Sequence, residues 1–490
     1  MGNNGHKLKK RGVKLSIYFL SLLIVAIAAI GGTYAWIGRS VTLPSTVEII
    51  QGTNSSTLDI AASERIGAVY QTLLNNYVEG VDKEALIEGA LSGMVEAVGD
   101  PYSQYLNTEE SENLDETISA SFEGIGAEIM SLNQQIVIVS PIKGSPAEKA
   151  GLLPNDIILS ADGESLQGLT ASEAVALIRG EKGSEVVLEI VRGDQTFKVN
   201  ITRDTIPIET VTFELDEEYP EIGIVHVSSF STPTYDDIVS AVTDLRTQGA
   251  TSFVFDFRQN PGGLLDQALK ISNMFLDDGD VIMQTQEKDA EPNKIVASDS
   301  EFGDFKITEP SVLLVDEGSA SASEIVAGAL QESSEIPLVG TTTFGKGTVQ
   351  TVYPLTESSE LKLTVAKWLT PNGNWIHEKG ISVDYEVALP EYATLTIIDS
   401  TATYEEGTVS EEVKNVEAML NAIGYAVEAD GYYDEATVEQ VASFQAANEL
   451  DATGIVTGDT ALAIVEKLRE VLTENDTQYD KAVEILMGNE

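Results

Sequence analysis

Cysteine is absent from this chain of 490 residues, and histidine occurs three times. Without cysteine there is no disulfide framework, no zinc–thiolate site and no cysteine nucleophile. His6 lies in an N-terminal basic stretch, His226 in a strand-like run and His377 in a loop. These are too few for a metal centre built on imidazole, and a Ser-His-Asp triad would have to use His226 or His377, both of which read as structural. No metal and no other cofactor is expected. Positive charge is scarce too: 29 Lys and Arg stand against 79 Asp and Glu, a formal −50. Phosphate backbones are bound by Lys and Arg, so nucleic acid is excluded as a partner. What the chain does have is apolar side chains, 42% of the total. That is enough for folded cores, and the length suggests about three folded units at roughly 100–200 residues each.

The charge is distributed unevenly. Lys7, Lys9, Lys10, Arg11 and Lys14 make residues 1–14 a basic stub without acids, so the remainder carries a formal −55. Residues 15–38 contain no charged side chain, and a helix of 24 residues spans a hydrocarbon core of about 30 Å. Tyr34 and Trp36 suit the far interface, and the basic flank is expected to stay in the cytoplasm. The alternative is a cleaved signal peptide with a small-residue site near Thr33-Tyr34-Ala35, but signal h-regions run about 7–15 residues, shorter than this one. The expectation is a single-pass cell-membrane protein with its bulk outside the cytoplasm.

The fold class expected is α/β (mixed α+β) and multidomain. After the transmembrane helix comes a Ser/Thr/Asn-rich linker, 39–62. A helical subdomain at 63–118 follows, in which Ile66, Val69, Leu73 and Leu74, then Leu86, Leu91, Met94 and Val98, read as helix-packing faces. Residues 119–205 alternate in strand fashion around one helix near Ser172–Ile178, and 206–395 alternate strands with helices, an α/β core. A Thr/Ser/Glu-rich second linker covers 396–409, a small helical repeat domain 410–470, and an acidic tail 471–490. The repeat is visible as Gly431 and Thr437 against Gly454 and Thr460, six residues apart in each copy; each Gly suits a positive-φ turn and each Thr a helix start.

In the β module, Phe122-Glu-Gly-Ile-Gly-Ala-Glu-Ile129 sets two glycines before a strand, a loop whose N–H groups can hold a carboxylate. Farther on, Ser145-Pro146 opens a helix, Gly151 ends it and Asp156 precedes an apolar strand. Together these resemble a PDZ domain, in which Asp162-Gly163 would make the turn after that strand. The resemblance implies a β-barrel-like domain over 119–205 in which a protein C-terminus adds as a strand beside Gly124, Ile125, Gly126 and Ala127. The repeat module, with Phe444-Gln445, resembles the peptidoglycan-binding domain of bacterial wall enzymes, departing from it at Thr453, where Asp is frequent.

The most informative stretch is Val315-Asp-Glu-Gly-Ser-Ala-Ser-Ala-Ser-Glu-Ile325, an apolar strand ending at a glycine, then Ser319, Ser321 and Ser323, then an Ala-rich helix. A serine on such a turn is held out to substrate, and the helix N-terminus offers free N–H groups to a developing oxyanion. Ser321 with Glu324 three residues on also reads as a capping box that merely starts the helix. Lys346, between Gly345 and Gly347, follows the next apolar strand. Buried, such a lysine can lose its proton and serve as a base; moving its pKa from about 10.4 to 7–8 costs roughly 4 kcal/mol, while a solvated lysine in a glycine turn costs nothing. The residue after it is Gly347, so this is not a P-loop.

These two segments, Gly318–Ile325 and Thr343–Gln350, are similar to the signature segments of the C-terminal processing peptidases, or tail-specific proteases. The residues alone do not choose among the three serines. The resemblance implies Ser321 as nucleophile, Lys346 as general base and Gln350 as the group that orients the lysine. Phe255–Gly263, ending in Pro-Gly-Gly, fits the same family, which implies an oxyanion hole from the N–H groups of Gly263 and Ala322. Asp100–Tyr105 resembles the family's segment before the PDZ domain. Asp316 and Gln259 stand where Asn is usual, and Val383 where Pro is. The expected function is a membrane-anchored extracytoplasmic serine endopeptidase acting on proteins with exposed C-termini, with peptidoglycan as a further partner and a homodimer or larger assembly implied by the resemblance. The rivals are a catalytically silent PDZ scaffold at the wall and a glycan or cross-link hydrolase; the latter would need a carboxylate pair or metal site.

Overall fold

Helical spacing near the start of the chain forms helices α1 (Ile60–Asn76) and α2 (Lys83–Glu96) in a computed structural model that describes residues 60–356 and 358–488. Asp82 caps α2, accepting the N–H groups of Glu84 and Ala85. The expected membrane span, 15–38, lies outside the described residues. Among those described, no helix is long and apolar enough to cross a membrane. The chain divides into two units, Met1–Thr108 with Val352–Lys362, and Glu109–Thr351 with Leu363–Glu490. In the first, strand β1 (Gln104–Leu106) runs antiparallel to residues 360–362, with Tyr105 and Leu106 buried. The apolar faces of α1 and α2 do not become a core. Ile66, Val69, Leu73, Met94 and Val98 are exposed, Val69 at 62%.

The second unit starts from α3 (Thr108–Ser119) and a β module: β2 (Ser121–Gly124), β3 (Ala127–Leu132), β4 (Gln135–Pro141), α4 (Pro146–Lys149), β5 (Ile157–Ala161), β6 (Glu164–Ser165), α5 (Ala171–Ile178), β7 (Glu185–Arg192), β8 (Gln195–Thr202) and β9 (Asp204–Pro207). One sheet runs β3-β4-β5-β7-β8, so β3 is an edge strand; β2 pairs with β9. The signals read from sequence act locally as expected. Ser145 caps α4 with Pro146 in its first turn, Gly151 leaves it at φ +79°, and Asp162-Gly163 turns β5 into β6 with φ +50° and +89°, angles that suit these residue types.

The α/β core comprises β10 (Val211–Leu215), β11 (Ile222–Val227), α6 (Thr234–Gln248), β12 (Ser252–Asp256), α7 (Leu265–Asn273), β13 (Val281–Glu287), β14 (Asn293–Val296), α8 (Asp299–Phe302), β15 (Ser311–Val315), α9 (Ala322–Ala329), β16 (Leu338–Gly340), β17 (Thr348–Pro354), β18 (Glu360–Leu369) and β19 (Tyr385–Glu386). Its main sheet runs β10-β11-β12-β15-β16-β19, parallel except for β10. Strand alternation divides the side chains between two faces. Val225, Val227, Phe253, Phe255, Leu313, Val315 and Leu338 pack with side chains of α6, α7 and α9. On the other face are Ile222, Val254, Val312, Leu314 and Val339, and what covers them comes from the far end of the chain.

The C-terminal module holds α10 (Glu411–Ala422), α11 (Glu435–Ala447) and α12 (Gly458–Glu474), followed by α13 (Thr477–Leu486). Residues 396–409, expected as a linker, instead supply Ile398 and Tyr404 to this module's core; their polar composition masked two buried anchors. Residues 471–490, expected as an acidic tail, end α12 and form α13. Ala482 of α13 is fully buried on the sheet face left open above, with Tyr479, Val483, Ile485 and Leu486 packed beside it. The sheet is therefore covered on both sides, as a parallel sheet requires.

The internal repeat has a physical meaning. Buried Glu417 of α10 accepts the Gly431 N–H (3.0 Å) and the Thr437 hydroxyl (3.0 Å). Buried Gln445 of α11 accepts the Gly454 N–H (2.9 Å) and donates to the Thr460 hydroxyl (3.0 Å). Each Gly–Thr pair closes on a polar side chain from the helix before it.

Candidate active site

Ser321 sits where β15 turns into α9, with φ +57° and ψ −110°, a strained backbone for a residue with a Cβ. Ser319 and Ser323 are fully buried. The Ser319 hydroxyl donates to the Phe257 carbonyl (2.8 Å) and accepts the Asp316 N–H (2.9 Å), and that of Ser323 donates to the Asn260 carbonyl (2.9 Å). Of the three serines that sequence left open, Ser321 alone is partly exposed.

The link from this turn to the lysine is Glu324, which is fully buried. One carboxylate oxygen accepts the main-chain N–H groups of Ser321 and Lys346, both at 2.8 Å. The other accepts the Thr343 hydroxyl (2.6 Å) and the Gly345 N–H (2.7 Å). The main-chain nitrogens of Ser321 and Lys346 are thus two hydrogen-bond lengths apart through one atom. By its spacing from Ser321 alone, Glu324 is a capping partner. It does accept the Ser321 N–H in that way, but its three other bonds come from the lysine loop.

Lys346 is half-buried, and the loop that carries it is held through its main chain. Its carbonyl accepts the Trp368 indole N–H (2.8 Å), the Gly347 carbonyl accepts that of Trp375 (2.9 Å), and the Phe344 N–H donates to the Ser319 carbonyl (3.1 Å). A Cβ on Gly345 would lie 2.8 Å from the Gly380 and Lys379 nitrogens, and one on Gly347 would lie 2.8 Å from that of His377. The flanking glycines thus let the lysine loop lie directly against that backbone. Gln350, on β17, donates through Nε2 to the hydroxyls of Thr348 (3.0 Å) and Thr364 (3.1 Å), which fixes the side chain with its nitrogen committed.

The Pro-Gly-Gly turn packs against the nucleophile turn. A Cβ on Gly262 (φ +96°) would meet the Ala320 carbonyl at 2.5 Å and the Ala322 nitrogen at 2.8 Å, so only glycine fits. Buried Asn260 staples the turn: its Nδ2 donates to the Val227 carbonyl (2.7 Å), its Oδ1 accepts the Gly262 N–H (2.9 Å) and its carbonyl accepts the Ala320 N–H (3.0 Å). The Gly263 and Ala322 N–H groups donate to no acceptor among the described residues. Ala322 is the first residue of α9, where helical N–H groups have no internal partner. Two of the three departures noted in sequence, Gln259 and Asp316, bind each other: Gln259 gives its main-chain N–H (2.8 Å) and Nε2 (2.7 Å) to the Asp316 carboxylate.

Just before this turn, Arg258 pairs with Asp256 through Nε (2.9 Å) and Nη2 (2.7 Å). Burial would push the Asp256 carboxyl up, but His226 beside it and the hydrogen bonds and charge of Arg258 outweigh burial and leave it at about 2. His226 lies 3.7 Å from that carboxylate and away from the serine turn's hydrogen bonds. His377 accepts the Gly347 N–H through Nδ1 (3.4 Å), a structural contact to the lysine loop.

In the β module, the Ile125 and Gly126 N–H groups donate to no acceptor among the described residues, while their carbonyls accept the Ala147 and Ile142 N–H groups. Gly126 has φ +72°, and a Cβ there would lie 2.5 Å from Ser145 Cβ. With Gly124 ending β2 and Ala127 starting the edge strand β3, this loop is shaped as an anion nest beside an open strand.

Comparison with known proteins gives the family. The profile of peptidase family S41 matches residues 221–387. Others match 25–110 (activating protease CtpB N-terminal domain), 137–192 (PDZ domain) and 409–464 (putative peptidoglycan binding domain). The carboxy-terminal processing protease CtpA of Bacillus subtilis (strain 168) is 43% identical over 97% of this chain and 99% of its own length. The chain belongs to the carboxy-terminal processing proteases of family S41. It is similar also to a probable CtpA-like serine protease of Staphylococcus aureus (strain MSSA476), 36% identical over 97% of this chain and 93% of that one. A solved photosystem II D1 C-terminal processing protease is 29% identical, covering 66% of this chain and 88% of its own, at a TM-score of 0.39. This S41 member is accordingly a serine peptidase that carries a PDZ domain.

Proposed function

We propose that the chain is a membrane-anchored, extracytoplasmic endopeptidase working through a Ser321/Lys346 dyad. Ser321 Oγ attacks the peptide carbonyl, while the neutral Lys346 amine takes its proton and returns it to the leaving amine. Water then hydrolyses the acyl-enzyme by the same route. Gln350, with its nitrogen committed to two threonines, turns its carbonyl oxygen to the lysine. The N–H groups of Gly263 and Ala322 receive the oxyanion. The Gly124–Ala127 loop takes the substrate's terminal carboxylate, and the peptide extends along β3. The apolar run 15–38 behind its basic stub anchors the enzyme in the cell membrane, the C-terminal module holds it to peptidoglycan, and the assembly is a homodimer or larger.

The observation that carries the reading is Glu324, one of whose oxygens holds both the nucleophile's and the lysine's main-chain N–H. The purified chain is incubated with an unfolded protein substrate. Wild type is expected to cleave it, and Ser321→Ala and Lys346→Ala to lose at least about a thousandfold in kcat. Equal cleavage by wild type and Ser321→Ala would refute the dyad, and a wild type that cleaves no such substrate would favour the silent scaffold. Digestion of purified peptidoglycan instead would point to the wall hydrolase.

A further inference from the structure

The oxyanion turn, Gln259–Gly263, follows directly on Arg258, and Arg258 is not held by its own neighbourhood alone. Its Nη1 donates to Asp476 Oδ1 (2.9 Å) and Gln478 Oε1 (3.1 Å), and its Nη2 lies 2.7 Å from Asp476 Oδ2. Asp476 is the N-cap of α13 and also accepts the Gln478 and Tyr479 N–H groups. α13 is itself fastened to the core: Thr477 and Gln478 donate to the carbonyls of Ala388 and Val387, the Tyr479 hydroxyl bonds the Asp216 carboxylate, and Ala482 is buried on the sheet. The Arg258 guanidinium is mostly buried, with 16% of the side chain exposed, and is neutralised on one side by Asp256 and on the other by Asp476. Removing one partner of such a group leaves charge without its full complement and frees the side chain to turn.

We propose that Asp476 is a positioning residue for peptide hydrolysis: through Arg258 it sets the start of the turn that presents the Gly263 N–H to the oxyanion. The C-terminal helix is then a working part of the active site, and the module at 398–474 is inserted in the catalytic core between β19 and α13. This rests on the assignment of Gly263 as an oxyanion donor.

The test is Asp476→Asn in the full-length chain. Asn caps a helix as well as Asp does, so the start of α13 is kept while the charge facing Arg258 is removed. Competent sites are counted by end-point labelling with a fluorophosphonate, and kcat and KM are measured per labelled site, so that any misfolded fraction drops out. The expected result is a fall in kcat per site of about tenfold, with KM unchanged and the labelling rate slowed alike. Glu484→Gln, on the same helix but paired only with partly exposed Lys481, is expected to match wild type. A loss accounted for wholly by fewer labelled sites, a change confined to KM, or a kcat per site within twofold of wild type would overturn the proposal. If Ser321→Ala matched wild type in the same assay, the dyad itself would fall, a different failure.

Discussion

Two buried glutamates, Glu324 in the catalytic core and Glu417 in the C-terminal module, do similar jobs with different tolerances. Each lies on a helix and receives the N–H of a glycine turn. Glu324 takes four donors, and each of its oxygens accepts at least one main-chain N–H, a donor that cannot reverse. Glu417 takes two. One is the Thr437 hydroxyl, which also lies 3.2 Å from Asp434 and can swing its proton there. The module's own second repeat shows the alternative, since Gln445 fills the equivalent place with an amide. A carboxylate is therefore required where two loops must meet on it, and is replaceable where it closes a single turn.

The same substitution at both sites tests this contrast. Glu324→Gln sets an amide N–H against a main-chain N–H in either orientation, a buried mismatch of roughly 1–3 kcal/mol, and displaces the serine turn from the lysine loop. The expected outcome is a kcat lower by about a hundredfold or more, with a reduced melting temperature, read by steady-state kinetics and calorimetry. Full activity in Glu324→Gln would show that the carboxylate is not required where the two loops meet.

A middle-sized effect is expected at the Gln259–Asp316 pair. Asp316→Asn alone weakens the charge-assisted bonds to the Gln259 amide and to the main-chain N–H groups of Gln259 and Gly318, and is expected to cost about 1 kcal/mol of stability and a few-fold in kcat. Adding Gln259→Asn, which makes both positions Asn, is expected to recover part of the loss, with a coupling of at least about 0.5 kcal/mol in a double-mutant cycle. Strict additivity would mean that the two departures are independent.

The smallest effect is Glu417→Gln, which is expected to leave proteolysis unchanged. Burial is the largest influence on the Glu417 carboxyl and raises its pKa, against hydrogen bonds from Gly431 and Thr437 that lower it. The folded module thus holds this proton more tightly than the unfolded chain does. That contribution to stability is present below the ordinary glutamate range and is lost as pH rises through the folded value. Glu417→Gln is therefore expected to raise the module's melting transition by a few degrees at neutral pH and to show no gain in acid. A drop at neutral pH would show that the carboxylate is needed here as well.

Local features of the fold were legible in the sequence. The Ser145-Pro146 helix start, the Asp162-Gly163 turn, the α9 start at Ala322 and the glycines flanking Lys346 each rest on residues adjacent in the chain. What sequence reading missed depends on partners far along it. Ser319, Ser321 and Ser323 look alike in the sequence, and only burial and a positive φ separate them. Glu324 carried the spacing of a helix cap, and nothing nearby showed that three of its donors lie some twenty residues on. Asp476 meets Arg258 across 218 residues, so its segment read as a solvated tail. The apolar stripes of α1 and α2 were legible as stripes, but periodicity does not say whether a partner covers them.

Activation of one serine by one lysine can be read by mass spectrometry after brief exposure of the full chain to a serine-directed fluorophosphonate. A single adduct on Ser321 is expected, with none on Ser319 or Ser323, and labelling slowed at least about a hundredfold in Lys346→Ala. An adduct on another serine, or undiminished labelling of Ser321 without Lys346, would contradict it.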